Sequence, residues 1–132
     1  MTKSEELGLM LNRYYNLEEK RQLVESIIEP AKAYLNGKAG SIETTRALSQ
    51  FVGRDRDLDR LLFPLVGVNS ETDALPVGNV RKYWDTEALK QEDIKIAAAE
   101  ARYASIVSDA CHALVASLVP LLSDLRDQHP KS

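Results

Sequence analysis

Apolar residues recur every three or four positions through most of this chain, and that period predicts helices. From Ser4 to Tyr15 the positions Leu7, Leu11, Tyr14 and Tyr15 fall at helical spacing, with Met10 beside them and Gly8 interrupting. Asn16 either breaks this helix or caps the next one. From Leu17 to Ile28 the residues Leu17, Arg21, Val24 and Ile28 share a face, with Ile27 next to it. Pro30 forbids a regular helix through its position, so a kink or a fresh start is expected there. Ala31 to Leu35 continues helically until Asn36-Gly37 supplies a stop. Ser41 is the expected N-cap of a further helix, with Glu43 and Thr44 in its first turn. That helix is expected to run to about Val52, with Ile42, Thr45, Leu48 and Val52 on one face and Phe51 flanking it.

The run RDRDLDRLLFPLVGV starts with alternating charges and turns apolar at Leu61, Leu62 and Phe63. Asp55 or Asp57 can cap a helix here, which Pro64 would kink. A strand over Leu61 to Val68 is the rival reading, but no partner strand is visible, and an isolated strand cannot satisfy its own backbone. Near the end, Asp85 can cap a short helix over Thr86 to Lys90. Asp93 can then cap the longest helix, Ile94 to Val119. Its stripe includes Ile94, Ala97, Ala101, Ala104, Val107, Cys111, Leu114 and Leu118 at steps of three and four. Pro120 should kink it. The pattern predicts an all-α single domain over residues 1–128 with a disordered tail at 129–132. The architecture expected is an antiparallel bundle of five to seven helices, with the long C-terminal helix central.

A length of 132 residues fits one core. With 44% apolar and 28% charged residues, the chain is neither disordered nor a membrane protein by composition. The apolar run Ala110 to Leu122 is interrupted by His112, Ser117 and Pro120 and falls short of the ~20 residues of a bilayer span. The N-terminus lacks the order of a signal peptide, which places the protein in the cytoplasm. A net charge of −3 argues against broad phosphate neutralisation, so nucleic acid is not the expected partner. The single cysteine, Cys111, excludes an internal disulfide and any zinc site built on cysteine pairs.

Candidate chemistry is sparse. Asp109 and His112 have the spacing of half a di-iron motif, but the second half is missing: three positions before the other histidine, His129, stands Arg126. No metal or cofactor is therefore expected. Cys111 falls on the apolar stripe and reads as a core residue. No nucleophile elbow, zinc-protease motif, P-loop or dinucleotide fingerprint is present.

One segment stands apart, SETDALPVGNVRKYW, from Ser70 to Trp84. Ser70-Glu71-Thr72-Asp73 has the form of a capping box for one turn over Glu71 to Leu75, which Pro76 would end. Gly78 permits a bend, after which Val80, Tyr83 and Trp84 could form one apolar face. Two outcomes are open for the charges. Arg81 can fold back on Glu71 or Asp73 as a bidentate pair that fixes the loop. Alternatively, Glu71, Asp73 and Arg81 face solvent and bind a partner. With Tyr83 and Trp84 they are the candidate binding residues, because Trp, Tyr and Arg dominate protein–protein hot spots.

Ser70-Glu71-Thr72-Asp73, Leu75-Pro76, Gly78, Arg81 and Trp84 resemble a signature, S-E-T-D-x-L-P-x-G-x-x-R-x-x-W, in a family of small uncharacterised bacterial all-helical proteins. Ile42 to Leu48 looks similar to a preceding helix of that family, and the resemblance covers about half the chain. It implies no activity. Small helical proteins of this class include immunity proteins of polymorphic toxin systems, an analogy of size and class. The expected function is thus a non-catalytic protein-binding module, most sharply an immunity protein that blocks a toxin such as a basic nuclease. Glu71 and Asp73, with Asp55, Asp57 and Asp59, would steer the partner. The alternatives are a small hydrolase or ligand-binding protein using Glu71, Asp73 and Arg81, and a structural subunit, a homodimer through its Ala-rich long helix.

Overall fold

The computed structural model describes residues 15–128. The helix expected over Ser4 to Tyr15 lies outside them except for Tyr15, which packs against the core. The tail at 129–132, with His129, lies outside them too. The described chain is all-helical: α1 (Leu17–Leu35), α2 (Ser41–Ser49), α3 (Arg56–Thr72), a 3-10 helix (Gly78–Tyr83) and α4 (Thr86–Asp127). Among the described residues there is no strand, and Leu61 to Val68 is the middle of α3.

Asn16 is the cap of α1. Its side chain accepts from the Glu19 N–H at 2.8 Å, and the Glu19 carboxylate accepts from the Asn16 N–H at 3.3 Å, a reciprocal capping box. A fresh helix start at Pro30 does not occur, and α1 runs through it. Proline inside a helix costs about 3 kcal/mol. Here Ile27, Ile28 and Ala31 on either side are buried, and fully burying an aliphatic side chain contributes about 1.5–3 kcal/mol. Gly37, at φ +74°, ends the helix. The Lys38 N–H reaches the Ala33 carbonyl at 2.8 Å and the Gly37 N–H reaches Tyr34 at 3.0 Å, a Schellman closure.

α2 starts at Ser41, but Ser41 is not its cap. Gly40 holds that position and offers no side chain. The cap comes from α4: the Glu100 carboxylate accepts from the Ser41 N–H, and from the Ile42 N–H at 3.2 Å. A Cβ on Gly40 would meet the Glu100 Oε1 at 2.8 Å, so the glycine makes room for its own cap. The Ser41 hydroxyl lies 3.0 Å from the Tyr34 hydroxyl, which donates to the Ala104 carbonyl at 3.2 Å. α2 ends at Ser49, short of Val52, which is exposed.

Asp55 caps α3, accepting from the Leu58 N–H at 2.9 Å. Pro64 sits inside α3 on its exposed side without ending it. The two helices expected after Asp85 are one. α4 is a single helix of 42 residues, about 63 Å long at 1.5 Å per residue. Asp85 caps it, and neither Asp93 nor Pro120 interrupts it.

α1 and α4 run antiparallel. Arg21, near the start of α1, donates to the carbonyls of Leu125 at 2.9 Å and Gln128 at 2.6 Å, while Tyr34 near its end reaches Ala104. The carbonyls that Arg21 reaches are among those that a helix C-terminus leaves without an intrahelical partner. Arg46 does the same for α3, donating to Thr72 and Leu75 at 2.7 Å each. Side chains of α1, α2, α3 and α4, including Ile27, Leu48, Leu62, Leu65, Leu114 and Leu118, form one buried cluster. Cys111 lies in it, and burial pushes its thiol pKa up to about 11. It is a core residue, as its place on the stripe suggested.

Candidate functional site

The segment from Ser70 to Trp84 joins α3 to α4. Its first residues do not form a separate capped turn. Ser70 to Thr72 is the last turn of α3, and Asp73 is its C-cap. The apolar period of α3 (Leu61, Leu65, Val68) continues to Thr72, which is buried and donates its hydroxyl to the Val68 carbonyl at 2.7 Å. Nothing stops the helix before that point, so the S-x-x-D pattern has no helix to start. Pro76 is buried, and Gly78 takes φ +80°, a conformation that favours glycine.

Arg81 is the clasp of this connection, with a different partner from those expected. Its Nη1 donates to the Pro76 carbonyl at 3.1 Å and to Asp93 Oδ1 at 2.7 Å, and its Nη2 donates to Asp93 Oδ2 at 3.1 Å. This bidentate fork ties the 3-10 helix to the third turn of α4. Hydrogen bonds from Arg81 hold the Asp93 carboxyl below the usual carboxylate range, against a weaker opposing effect of desolvation. The expectation of a loop-fixing pair holds in kind, but neither Glu71 nor Asp73 is its acid.

The aromatic residues face outward. Tyr83 is 80% exposed and Trp84 39% exposed. Val80 is exposed as well, and the Lys82 ammonium sits 5.1 Å from the centre of the Tyr83 ring. The side chains of Glu71 and Asp73 are exposed and form no hydrogen bond or ion pair among the described residues. Glu71 lines a shallow groove of about 310 Å³ with Lys95 and Arg102 over a floor of Leu75, Ala98, Ala99 and Tyr103. Asp73 and Arg81 do not line it. The convergence of Glu71, Asp73 and Arg81 that a hydrolytic or ligand-binding site would need is therefore not formed.

The other candidates resolve locally. Asp55 is buried as a cap; desolvation raises its pKa and the Leu58 N–H opposes that. Asp57 pairs with Arg60 at 3.4 Å, and Asp59 accepts from the Gly53 N–H at 2.8 Å. Asp55 and Asp59 thus serve the start of α3 and its link to α2, and Asp57 makes a pair within α3. Asp109 and His112 are exposed, and among the described residues no group of three or more metal-ligating side chains gathers.

Sequence reasoning missed Glu100, Arg46 and Arg21, which cap helices other than their own, and took Asp93 for a cap. Their signal is not local. It lies in the count of unsatisfied groups at helix ends, which demands partners without saying which residues provide them.

No protein-family model, curated protein or solved structure matches the chain. α4 holds a stretch long and apolar enough to cross a membrane, and 44% of that stretch is buried inside the protein.

Proposed function

We propose that this chain is a non-catalytic protein-binding module built as an antiparallel helical bundle, with the α3–α4 connection as its binding surface. The observation that carries this reading is the exposure of Tyr83 at 80%, next to Trp84, on a 3-10 helix fixed by the Arg81–Asp93 fork. Exposing aromatic surface to water is unfavourable, and a rigid mounting limits the ordering cost of association. Glu71 and Asp73 on the same connection, with a net charge of −3, suit a basic partner.

In its sharper form the chain is a cytosolic immunity protein whose partner is a toxin domain, with a basic nuclease as the expected class. On this reading α4 is the core helix of the bundle, in keeping with its buried stripe.

The experiment is calorimetric titration of the chain with the product of the adjacent gene. A 1:1 complex weakened at least about tenfold by Tyr83→Ala or Trp84→Ala supports the surface. Loss of that product's toxicity on co-expression supports the sharper form. A complex indifferent to both substitutions removes the connection as the binding surface.

A further inference from the structure

The outward face of α3 has an order that the fold does not explain. Phe63 is 73% exposed and Val66 is exposed one turn further on. Arg56, Arg60, Gly67 and Glu71 are exposed too. Residues 56, 60, 63, 67 and 71 step by three and four, so they share one stripe. On the stripe itself Arg56 and Arg60 lie before Phe63 and Glu71 lies after it, with Asp57 and Asp59 flanking the arginines off the stripe. Asp55, Asp57 and Asp59 already satisfy the helix dipole at its N-terminus, and neither Arg56 and Arg60 there nor Glu71 at the C-terminus adds to it, so the dipole does not account for their order on the stripe. Arg60 touches Asp57 at 3.4 Å, but on an exposed surface where such pairs contribute little. Next along the stripe from Phe63, Gly67 presents no side chain to solvent, and a Cβ built on it would meet nothing within 4 Å.

We propose that this face is the interface of a homodimer in which two α3 helices pack antiparallel about a two-fold axis passing beside residues 65 and 66. A closed two-fold contact requires a self-complementary surface. The stripe has that property. Arg60 and Glu71 lie on the same edge of the helix and equally far from the axis, about 8 Å on either side at 1.5 Å per residue. The symmetry therefore sets Arg60 opposite Glu71 of the partner subunit, twice per dimer. Phe63 falls beside the partner's Gly67, where the missing side chain leaves room for the ring. A different protein docking here would need no such match between the two ends of one helix. One helix pair is a small interface, so association in the micromolar range is expected.

Sedimentation equilibrium of the full chain across micromolar concentrations tests this. A monomer–dimer equilibrium is expected. Phe63→Ala and Gly67→Gln should each weaken it about tenfold, the first by removing the anchor and the second by filling its place. Arg60→Glu and Glu71→Arg should each weaken it by a similar factor, because each reversal sets like charges together twice. The double variant R60E/E71R should restore most of the loss, which a merely structural effect would not do. All these side chains are exposed, so circular dichroism should show intact helices. A chain that stays monomeric at high micromolar concentration overturns the proposal, as does a dimer indifferent to the charge reversals or not restored by the double swap. A dimer broken by Ile94→Glu but not by Phe63→Ala would move the contact to α4 and overturn it as well. Glu71 belongs to both this interface and the aromatic surface, so the two are told apart by residues that belong to one alone: Trp84→Ala should leave the dimer intact, and Phe63→Ala should leave binding at the aromatic surface intact.

Discussion

The two halves of α4 have the same apolar period and opposite surroundings. From Tyr103 onward the stripe is covered: Val107, Cys111, Leu114, Leu118, Leu121 and Leu125 are all buried. From Thr86 to Arg102 no residue of the helix is buried, and Ile94 is 68% exposed. The difference lies in what is available to pack. The second half is covered by the buried cluster, whereas the first half meets the 3-10 helix through the Asp93 fork, meets α2 through Glu100, and reaches the core only at Ala99 beside the end of α3. A helical stripe thus states where a side chain points along its own helix, but not whether a neighbour stands there.

The largest effect should separate the halves directly. Leu118→Ala opens a cavity in the covered half and should cost about 2–5 kcal/mol in urea denaturation. Ile94→Ala, the matching change in the open half, should fall within about 0.5 kcal/mol. Near-equal losses would mean that the first half is covered after all. Glu100 stands at the border. Glu100→Ala leaves two α2 N–H groups without their acceptor and should cost about 1–2 kcal/mol, with amide exchange accelerated at Ser41 and Ile42.

Smaller in its effect on global stability is the clasp of the open half. Asp93→Asn should free the 3-10 helix, seen as faster amide exchange in Gly78–Tyr83 and a shift in Trp84 emission, while the cooperative unfolding transition changes little. The pH dependence has a definite sign. Because the folded Asp93 pKa is depressed, its contribution is complete above the ordinary aspartate value of about 3.9 and is lost as pH falls through the lower folded value. Trp84 emission should therefore hold constant across neutral and mildly acidic pH and change only below that range. Smallest of all should be the reactivity of Cys111. Buried with its pKa at about 11, it should react with a thiol reagent only at the rate of unfolding, and Leu118→Ala should raise that rate.

Much of the fold was legible because burial imposes a period. The stripe of the second half of α4 sits where spacing put it, whereas the buried face of α1 is turned toward Leu23 and Ile27 from the expected one over Leu17 and Arg21, and in α3 Phe63 points outward. Boundaries were legible only when both partners of a cap are close in sequence, as with Asn16 and Glu19, Asp55 and Leu58, or Asp85 and Ala88. Ser41 had the right chemistry for a cap, but Glu100 took the place from another helix. Of the two outcomes expected at Pro30, a fresh helix start is not formed, because buried residues on either side carry α1 through it; α3 and α4 likewise continue through Pro64 and Pro120. In the connecting segment, the need for an acid opposite Arg81 was readable. Its identity depended on α4 continuing past Asp93, which a local cap reading had denied.

Gly40 and Glu100 make one device out of two distant positions. The two depend on each other: a side chain at 40 would push the flexible Glu100 carboxylate off the N–H groups it caps, and without the carboxylate the glycine has no steric reason to be there. Among descendants of this chain the two positions should therefore be inherited as a unit. Where the glycine gives way to Ser, Thr or Asp, which cap from within, the acid sixty residues downstream becomes free to drift.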